Sequence, residues 1–240
     1  MAVPEFLNPL VLPTEIRPAE RVGQVDLYLP DAAPPRPAVV FVHGGPFPAA
    51  VQPTPRGWPV YQAYGSAVAA RGAVGVTVDH RLHDPADYPR AADDVAAAVE
   101  VVRKDARVDA GRVALWFFSG SALLMSDWLR DPPGWLRCVA ANYPMLAPTP
   151  GMTVDPRFRP TEAVAAADPP PLVVTRVGRE SPSIAATVDA FLTAAAGPGR
   201  APVDVIDVPT GRHGFDVLDP GDESRAAVNR ALDAVLATLR

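Results

Sequence analysis

The sequence predicts an α/β fold, a mostly parallel central sheet with helices on both faces, and three observations carry that expectation. Short buried-strand runs alternate with helical patterns along nearly the whole chain. Ala38-Val39-Val40-Phe41-Val42 is apolar throughout, as expected for a strand covered on both faces. With 240 residues, 48% of them apolar and 20% charged, the chain can bury one substantial core. One domain over residues 1–240 is therefore expected, with residues 1–21 as an N-terminal extension.

Taken in order, Gly23 to Leu29 alternates polar and apolar residues with period two and stops at Pro30, which reads as a half-buried strand. After the buried run Ala38 to Val42, Tyr61 to Arg71 fits a helix and Ala73 to Val78 a strand. Arg90 to Lys104 fits a helix with Val95, Val99 and Val102 on one face. Val113 to Phe118 is the next strand, Ala122 to Leu129 a helix, and Arg137 to Tyr143 a strand. A helix over Thr161 to Ala167, a strand over Leu172 to Val177 and a helix over Ile184 to Ala196 come next. Val203 to Val208 and Ser224 to Leu239 close the chain as strand and helix. The 30 prolines are spread between these elements as punctuation, and no internal repeat is visible.

Several function classes are disfavoured. A net charge of -5 with interspersed signs offers no field for nucleic acid or an anionic membrane. Neither GxGxxG nor GxxxxGK followed by Ser or Thr is present, so nucleotide binding through those motifs is not expected, and no cofactor is implied. The first residues carry Pro4, Pro9, Pro13 and Glu5 and do not read as a secretory signal, and no apolar run is long enough to span a bilayer. Cys138 is the lone cysteine, so no intramolecular disulfide can form; it lies in an apolar run and reads as a core residue. A cytoplasmic location is expected. His80 and His83 form an HxxH pair without a further ligand cluster, so no metal site is assigned.

The most informative stretch runs from Val113 to Leu124, a buried strand leading into a helix with Ser119 at the junction. A sharp strand-to-helix turn lifts a hydroxyl above the sheet edge, with a helix N-terminus behind it that favours developing negative charge. Gly120 would then offer its backbone N–H to an oxyanion. The serine departs from GxSxG, because Phe117 and Ser121 occupy the glycine positions where strand and helix approach closely. Ser121 is a rival nucleophile, placed inside the first helical turn rather than at its apex. A cap for the helix is the bland alternative for Ser119.

Three further segments support a nucleophilic site. His43-Gly44-Gly45-Pro46 comes after a buried strand; Pro46 has no N–H, so the loop's donor is Gly44 or Gly45, and Gly45 is chosen. His213, between Gly211 and Gly214, is read in a loop from which it can act as general base. Glu180, after the strand Leu172 to Val177, can orient that histidine; Asp168 precedes the strand and Asp189 lies inside the next helix.

With those residues in place, the chain from about Val22 to Arg240 resembles the α/β-hydrolase superfamily, in particular small bacterial esterase-like and dienelactone-hydrolase-like members without a large cap domain. The resemblance rests on His43-Gly44-Gly45-Pro46, the Ser119 junction, His213-Gly214-Phe215, and Val78-Asp79-His80-Arg81-Leu82 with Tyr88-Pro89 and Asp93-Asp94 after it. The last segment is similar to the D-Y-R-L stretch of hormone-sensitive-lipase-like esterases, with His80 in place of tyrosine; His80, Arg81 and His83 are given no catalytic role. The resemblance implies hydrolysis of a small carboxylic ester, or related acyl compound, through an acyl-serine. Ser119, His213 and Glu180 would form a triad, with Gly45 and Gly120 as oxyanion donors.

Phe47 and Trp58 in one proline-rich segment, and Met145 in another, would line an apolar pocket for a short acyl or aromatic ester. The alternative is a catalytically impaired hydrolase-fold binding or scaffold protein, motivated by Phe117 and by glutamate in the acid position. Acyl transfer to an acceptor other than water is a weaker third reading. The partner expected is a small acyl substrate, with no oligomeric state implied.

Overall fold

The apolar run Ala38 to Val42 lies inside the sheet, paired in parallel on both of its edges, and this sets the architecture. The computed structural model describes residues 4–166, 168–197 and 202–240. Its strands are β1 (Glu20–Val22), β2 (Val25–Tyr28), β3 (Arg36–Val42), β4 (Val74–Val78), β5 (Val108–Phe118), β6 (Leu136–Asn142), β7 (Leu172–Arg179) and β8 (Asp204–Arg212). They form one sheet in the order β1-β2-β4-β3-β5-β6-β7-β8. β2 is antiparallel to β1 and β4, and every pairing from β4 through β8 is parallel.

The helices are α1 (Pro59–Ala70), α2 (Tyr88–Lys104), α3 (Met125–Arg130), α4 (Pro160–Ala166), α5 (Pro182–Ala195), α6 (Phe215–Leu218) and α7 (Asp222–Ala237). Strand alternation divides the apolar side chains between two cores. From β3, Ala38, Val40 and Val42 join one core and Val39 and Phe41 the other. From β5, Val113, Leu115 and Phe117 take the first side, and Ala114, Trp116 and Phe118 the second. Val95, Val99 and Val102 of α2 cover the first, as their spacing predicts, while α1 and α7 cover the second through Tyr64, Val68, Val228, Leu232 and Val235.

The differences from the expected boundaries have physical causes. Helices α1, α2 and α5 each start two residues earlier than the apolar periodicity implies, because Pro59, Pro89 and Pro182 sit in the first turn. Proline is well suited there, since an N–H in the first turn has no intrahelical acceptor. In place of the helix expected from Ala122, a 3-10 turn over Ser119–Leu124 passes into α3. The first predicted strand is shorter and comes after β1, whose residues are all exposed and so carry no burial pattern. Within the segment expected as an N-terminal extension, Leu10 and Val11 are buried in the second core and Glu20 belongs to the sheet. Of the predicted helix Thr161 to Ala167, Ala167 lies outside the described residues.

Two strand registers bring distant loops together at the C-terminal edge of the sheet. Val42 of β3 pairs with Phe117 of β5, which sets the His43-Gly44-Gly45 turn beside Ser119. Arg179 of β7 pairs with Arg212 of β8, so the next residues, Glu180 and His213, leave adjacent parallel strands side by side. Strand β8 runs through Arg212, which replaces the expected loop before His213 with sheet. Gly178 is required here, because a Cβ would collide with the Pro209 carbonyl of the neighbouring strand.

Candidate functional site

Ser119 stands at the end of β5 with φ 51°, in the left-handed region that an L-residue enters only at a cost of about 1–2 kcal/mol. The turn is held from behind. Met145 donates its N–H to the Ser119 carbonyl (3.1 Å), and the Tyr88 hydroxyl donates to the Gly120 carbonyl (2.9 Å). Phe117 is wholly buried in the first core with Leu82 and Tyr88, so its ring lies inside the protein under the turn. Ser121 is also wholly buried; its hydroxyl accepts from the Phe118 N–H and faces the Val42 and Phe118 carbonyls at 3.0 and 2.9 Å. Those bonds tie the turn to β3 and commit the rival serine to structure.

The structure brings Ser119, His213 and Glu180 together in one hydrogen-bonded row. Ser119 Oγ lies 2.7 Å from His213 Nε2, and His213 Nδ1 lies 2.5 Å from Glu180 Oε2. A carboxylate only accepts, so Nδ1 carries the ring proton and Nε2 is left to accept from the serine hydroxyl. The second Glu180 oxygen accepts the Ser181 N–H at 2.7 Å. Burial by itself would raise the Glu180 carboxyl, but its bond to His213, that ring's charge and the Ser181 contacts hold it below the usual range. The acid therefore stays ionised.

Gly44 and Gly45 flank the serine from the β3 side. The Gly44 N–H is occupied, donating to the Tyr61 hydroxyl at 3.1 Å, which leaves Gly45 as the loop's available donor. Gly120 is the second residue of the 3-10 turn, where an N–H has no acceptor one turn back. The approach of these backbones is close: a Cβ at Gly120 would collide with the Gly45 carbonyl oxygen. Gly120→Ala is therefore expected to lower both the urea midpoint and turnover, the latter by about 10²-fold or more. Unchanged turnover of an acetyl ester in that variant would contradict the arrangement.

Two cavities meet at Ser119. One, of about 270 Å³, is walled by Phe47, Trp58 and His213; the other, of about 450 Å³ and more open, by Met145, Met152 and Ile184. Phe47 and Trp58 thus line one cavity at the serine and Met145 the other. Phe47 and Trp58 pack edge to face at 4.8 Å.

The sequence reading missed the groups that support the histidine. Asp216 is wholly buried three residues beyond it, and its Oδ2 accepts from the Tyr64 and Tyr143 hydroxyls at 2.9 and 3.1 Å. Tyr143, itself at φ 37°, sets its ring edge to face with His213 at 4.9 Å. Asn142 extends the network, donating to the Tyr64 hydroxyl and accepting from Trp116 Nε1. Asp216 Oδ1 has no hydrogen-bond partner. Burial pushes its carboxyl up to about 6, against the hydrogen bonds from Tyr64 and Tyr143.

This raised value has a definite sign in folding. Between roughly pH 4 and 6 the folded state keeps a proton on Asp216 that the unfolded chain has released, so stability falls as pH rises through that window. The full shift corresponds to roughly 3 kcal/mol. Urea unfolding at pH 4 to 7 is expected to show that loss in wild type and its absence in Asp216→Asn; parallel profiles would exclude the effect.

The other candidates fall into structural roles. His43 and His80 are buried and stacked at 3.7 Å, and His80 Nε2 donates to the His43 carbonyl. Burial lowers both rings, His80 to about 4, so both are neutral. His83 Nδ1 contacts the Phe47 carbonyl, and Arg81 forks onto Asp94. Cys138 is buried and its thiol is pushed up to about 12 by that burial, which removes it as a nucleophile. Among the described residues no group of three or more His, Cys, Asp or Glu could hold a metal ion. Nor is any described helix long and apolar enough to cross a membrane.

Comparison with known proteins identifies the fold. Residues 25–126 match the family model described as BD-FAE. Among solved structures, esterase 2 of Thermogutta terrifontis, phosphoramylated by tabun, superposes with a TM-score of 0.70 at 17% identity, covering 94% of this chain and 95% of that one. The carboxylesterase EstE1, cloned from a metagenomic library, gives 0.73 at 18% over 96% and 92%, and a bacterial heroin esterase 0.74 at 18% over 90% and 79%. The chain has the α/β-hydrolase fold. No curated protein matches it in sequence. Within the hydrolase fold, Ser119 comes after β5 near the centre of the sheet, while Glu180 and His213 come after β7 and β8 at one end of it, so the row also passes the end of β6.

Proposed function

We propose that this protein is a serine hydrolase that cleaves a small carboxylic ester through an acyl-serine intermediate. The observation that carries the reading is the row from Ser119 Oγ through His213 to Glu180, at 2.7 and 2.5 Å, beside the Gly45 and Gly120 backbones. In this reading Ser119 attacks the ester carbonyl carbon as His213 Nε2 takes its proton. The Gly45 and Gly120 N–H groups bear the charge that develops on the carbonyl oxygen. His213 then returns the proton to the departing alcohol, and water repeats the sequence on the acyl-serine. Glu180 holds the tautomer and offsets the imidazolium charge without taking the proton.

An active turn is supported over a scaffold role by Phe117, which packs into the core and is not among the residues walling either cavity at Ser119. Esterases of the same fold point the same way. A small uncharged substrate suits cavities whose walls carry no acidic or lysine and arginine side chains. The buried free Cys138 suits a reducing compartment, and we place the enzyme in the cytoplasm.

Stopped-flow hydrolysis of p-nitrophenyl acetate tests the proposal. A burst of one nitrophenolate per chain, with an acetyl group trapped on Ser119 at low pH, is expected. Turnover without any acyl-enzyme would overturn the covalent route, and absence of turnover in folded protein would overturn the hydrolase reading.

A further inference from the structure

The proton route fixes which cavity takes which half of the ester, an inference that rests on the serine-hydrolase reading above. His213 Nε2 must reach the departing alcohol oxygen, so the alcohol lies on the flank of Ser119 that His213 walls. That flank is the smaller cavity, of about 270 Å³; the more open one, of about 450 Å³, does not have His213 in its wall. The acyl chain is left to the open side, along Met145, Met152 and Ile184.

The smaller cavity is lined on one side by aromatic rings. Phe6 stacks on Trp58 at 4.5 Å and 26°, and Phe47 stands edge-on to the same indole, so three rings from two distant segments form one packed aromatic wall. No acidic, lysine or arginine side chain lies in that wall. Phe6 belongs to the segment before the first strand, and that segment is anchored: Leu10 and Val11 are buried, and Val11 N–H donates to the Asp216 carbonyl at 2.7 Å. The N-terminal segment is thereby tied to the helix just after His213.

We propose that Phe6, Phe47 and Trp58 form the leaving-group subsite, and that the enzyme selects esters of uncharged aryl or arylalkyl alcohols while a flexible acyl chain occupies the open groove. Stacking with offset or edge geometry favours an aromatic guest over an aliphatic one of the same area. The two tyrosine hydroxyls in that wall, of Tyr61 and Tyr143, already bond to Gly44 and Asp216, so most hydroxyls of a polyol would be left unpaired.

The test is a four-substrate comparison with methyl acetate, benzyl acetate, methyl hexanoate and benzyl hexanoate, on wild type, Phe6→Ala and Ile184→Trp. Phe6→Ala is expected to lower kcat/KM about 10-fold for both benzyl esters and leave both methyl esters within about twofold. Ile184→Trp is expected to lower it about 10-fold for both hexanoates and spare the acetates. Selective loss of hexanoates in Phe6→Ala would show the subsites reversed, and an equal loss on all four would reduce Phe6 to a packing role; either overturns the inference.

Binding of benzyl alcohol, read by saturation-transfer NMR on wild type and Phe6→Ala, needs no turnover. Binding to wild type that Phe6→Ala weakens, with no ester hydrolysed, would overturn the serine-hydrolase reading and leave the aryl subsite standing. Failure of benzyl alcohol to bind wild type would overturn the subsite whatever the turnover.

Discussion

Replacing Ser119 with alanine is expected to lower kcat for phenyl acetate by about 10⁶-fold, the scale seen when a serine nucleophile is removed from a preorganised site. The remaining rate would come from the Gly45 and Gly120 donors and from substrate binding, which do not need the hydroxyl. Stability should change little, because alanine at φ 51° meets the same left-handed strain as serine. Ser119→Gly separates the two effects. It should be as inactive as the alanine variant yet more stable by about 1 kcal/mol, since glycine enters that region without a Cβ penalty. A Ser119→Ala enzyme with a tenth of wild-type turnover would mean that another group attacks.

Glu180→Gln is the second large effect. The amide occupies the same volume but carries no charge, and it can present an N–H where the ring's Nδ1–H needs an acceptor. The expected loss in kcat is about 10⁴-fold, with the fold intact. Two features make Glu180 sensitive: its side chain is only 6% exposed, and both of its oxygens are already engaged, one by His213 and one by Ser181. Glu180→Asp keeps the charge but withdraws the carboxylate by a methylene. It is expected to retain more activity than the glutamine variant, and steady-state kinetics on the same ester ranks the three enzymes. Equal activity of Glu180→Gln and wild type would move the orienting role to another carboxylate. Asp216 is not a ready substitute, because its Oδ2 is taken by Tyr64 and Tyr143.

How far the sequence leads differs between sheet and site. Strands buried on both faces are legible because their runs are uniformly apolar, and the register they set carries Ser119, Glu180 and His213 to one edge of the sheet, at the ends of β5, β7 and β8. Helix starts are blurred by proline, whose place in the first turn looks like loop punctuation in a linear reading. The support beneath the histidine is not legible at all. Asp216, Tyr64 and the consecutive pair Asn142 and Tyr143 come from three separate parts of the chain, and no spacing links a tyrosine on α1 to an aspartate 152 positions later. Phe6 is similar: a lone aromatic in a proline-rich start gains meaning only when the chain folds back to stack it on Trp58. Phe117 conflicts with an active turn only if the flanking position must be small. In the fold its side chain points into the core, and Gly120 provides the close approach to the Gly45 backbone.

Reaction with paraoxon, read by intact-mass and peptide mass spectrometry, tests the central claim most directly, because Thermogutta terrifontis esterase 2, a protein of this fold, is phosphorylated by that reagent. An activated Ser119 predicts one diethylphosphoryl group per chain, on Ser119, absent from Ser119→Ala and formed far more slowly in His213→Ala. Modification at Ser121, or no modification of folded wild-type protein, would contradict the account.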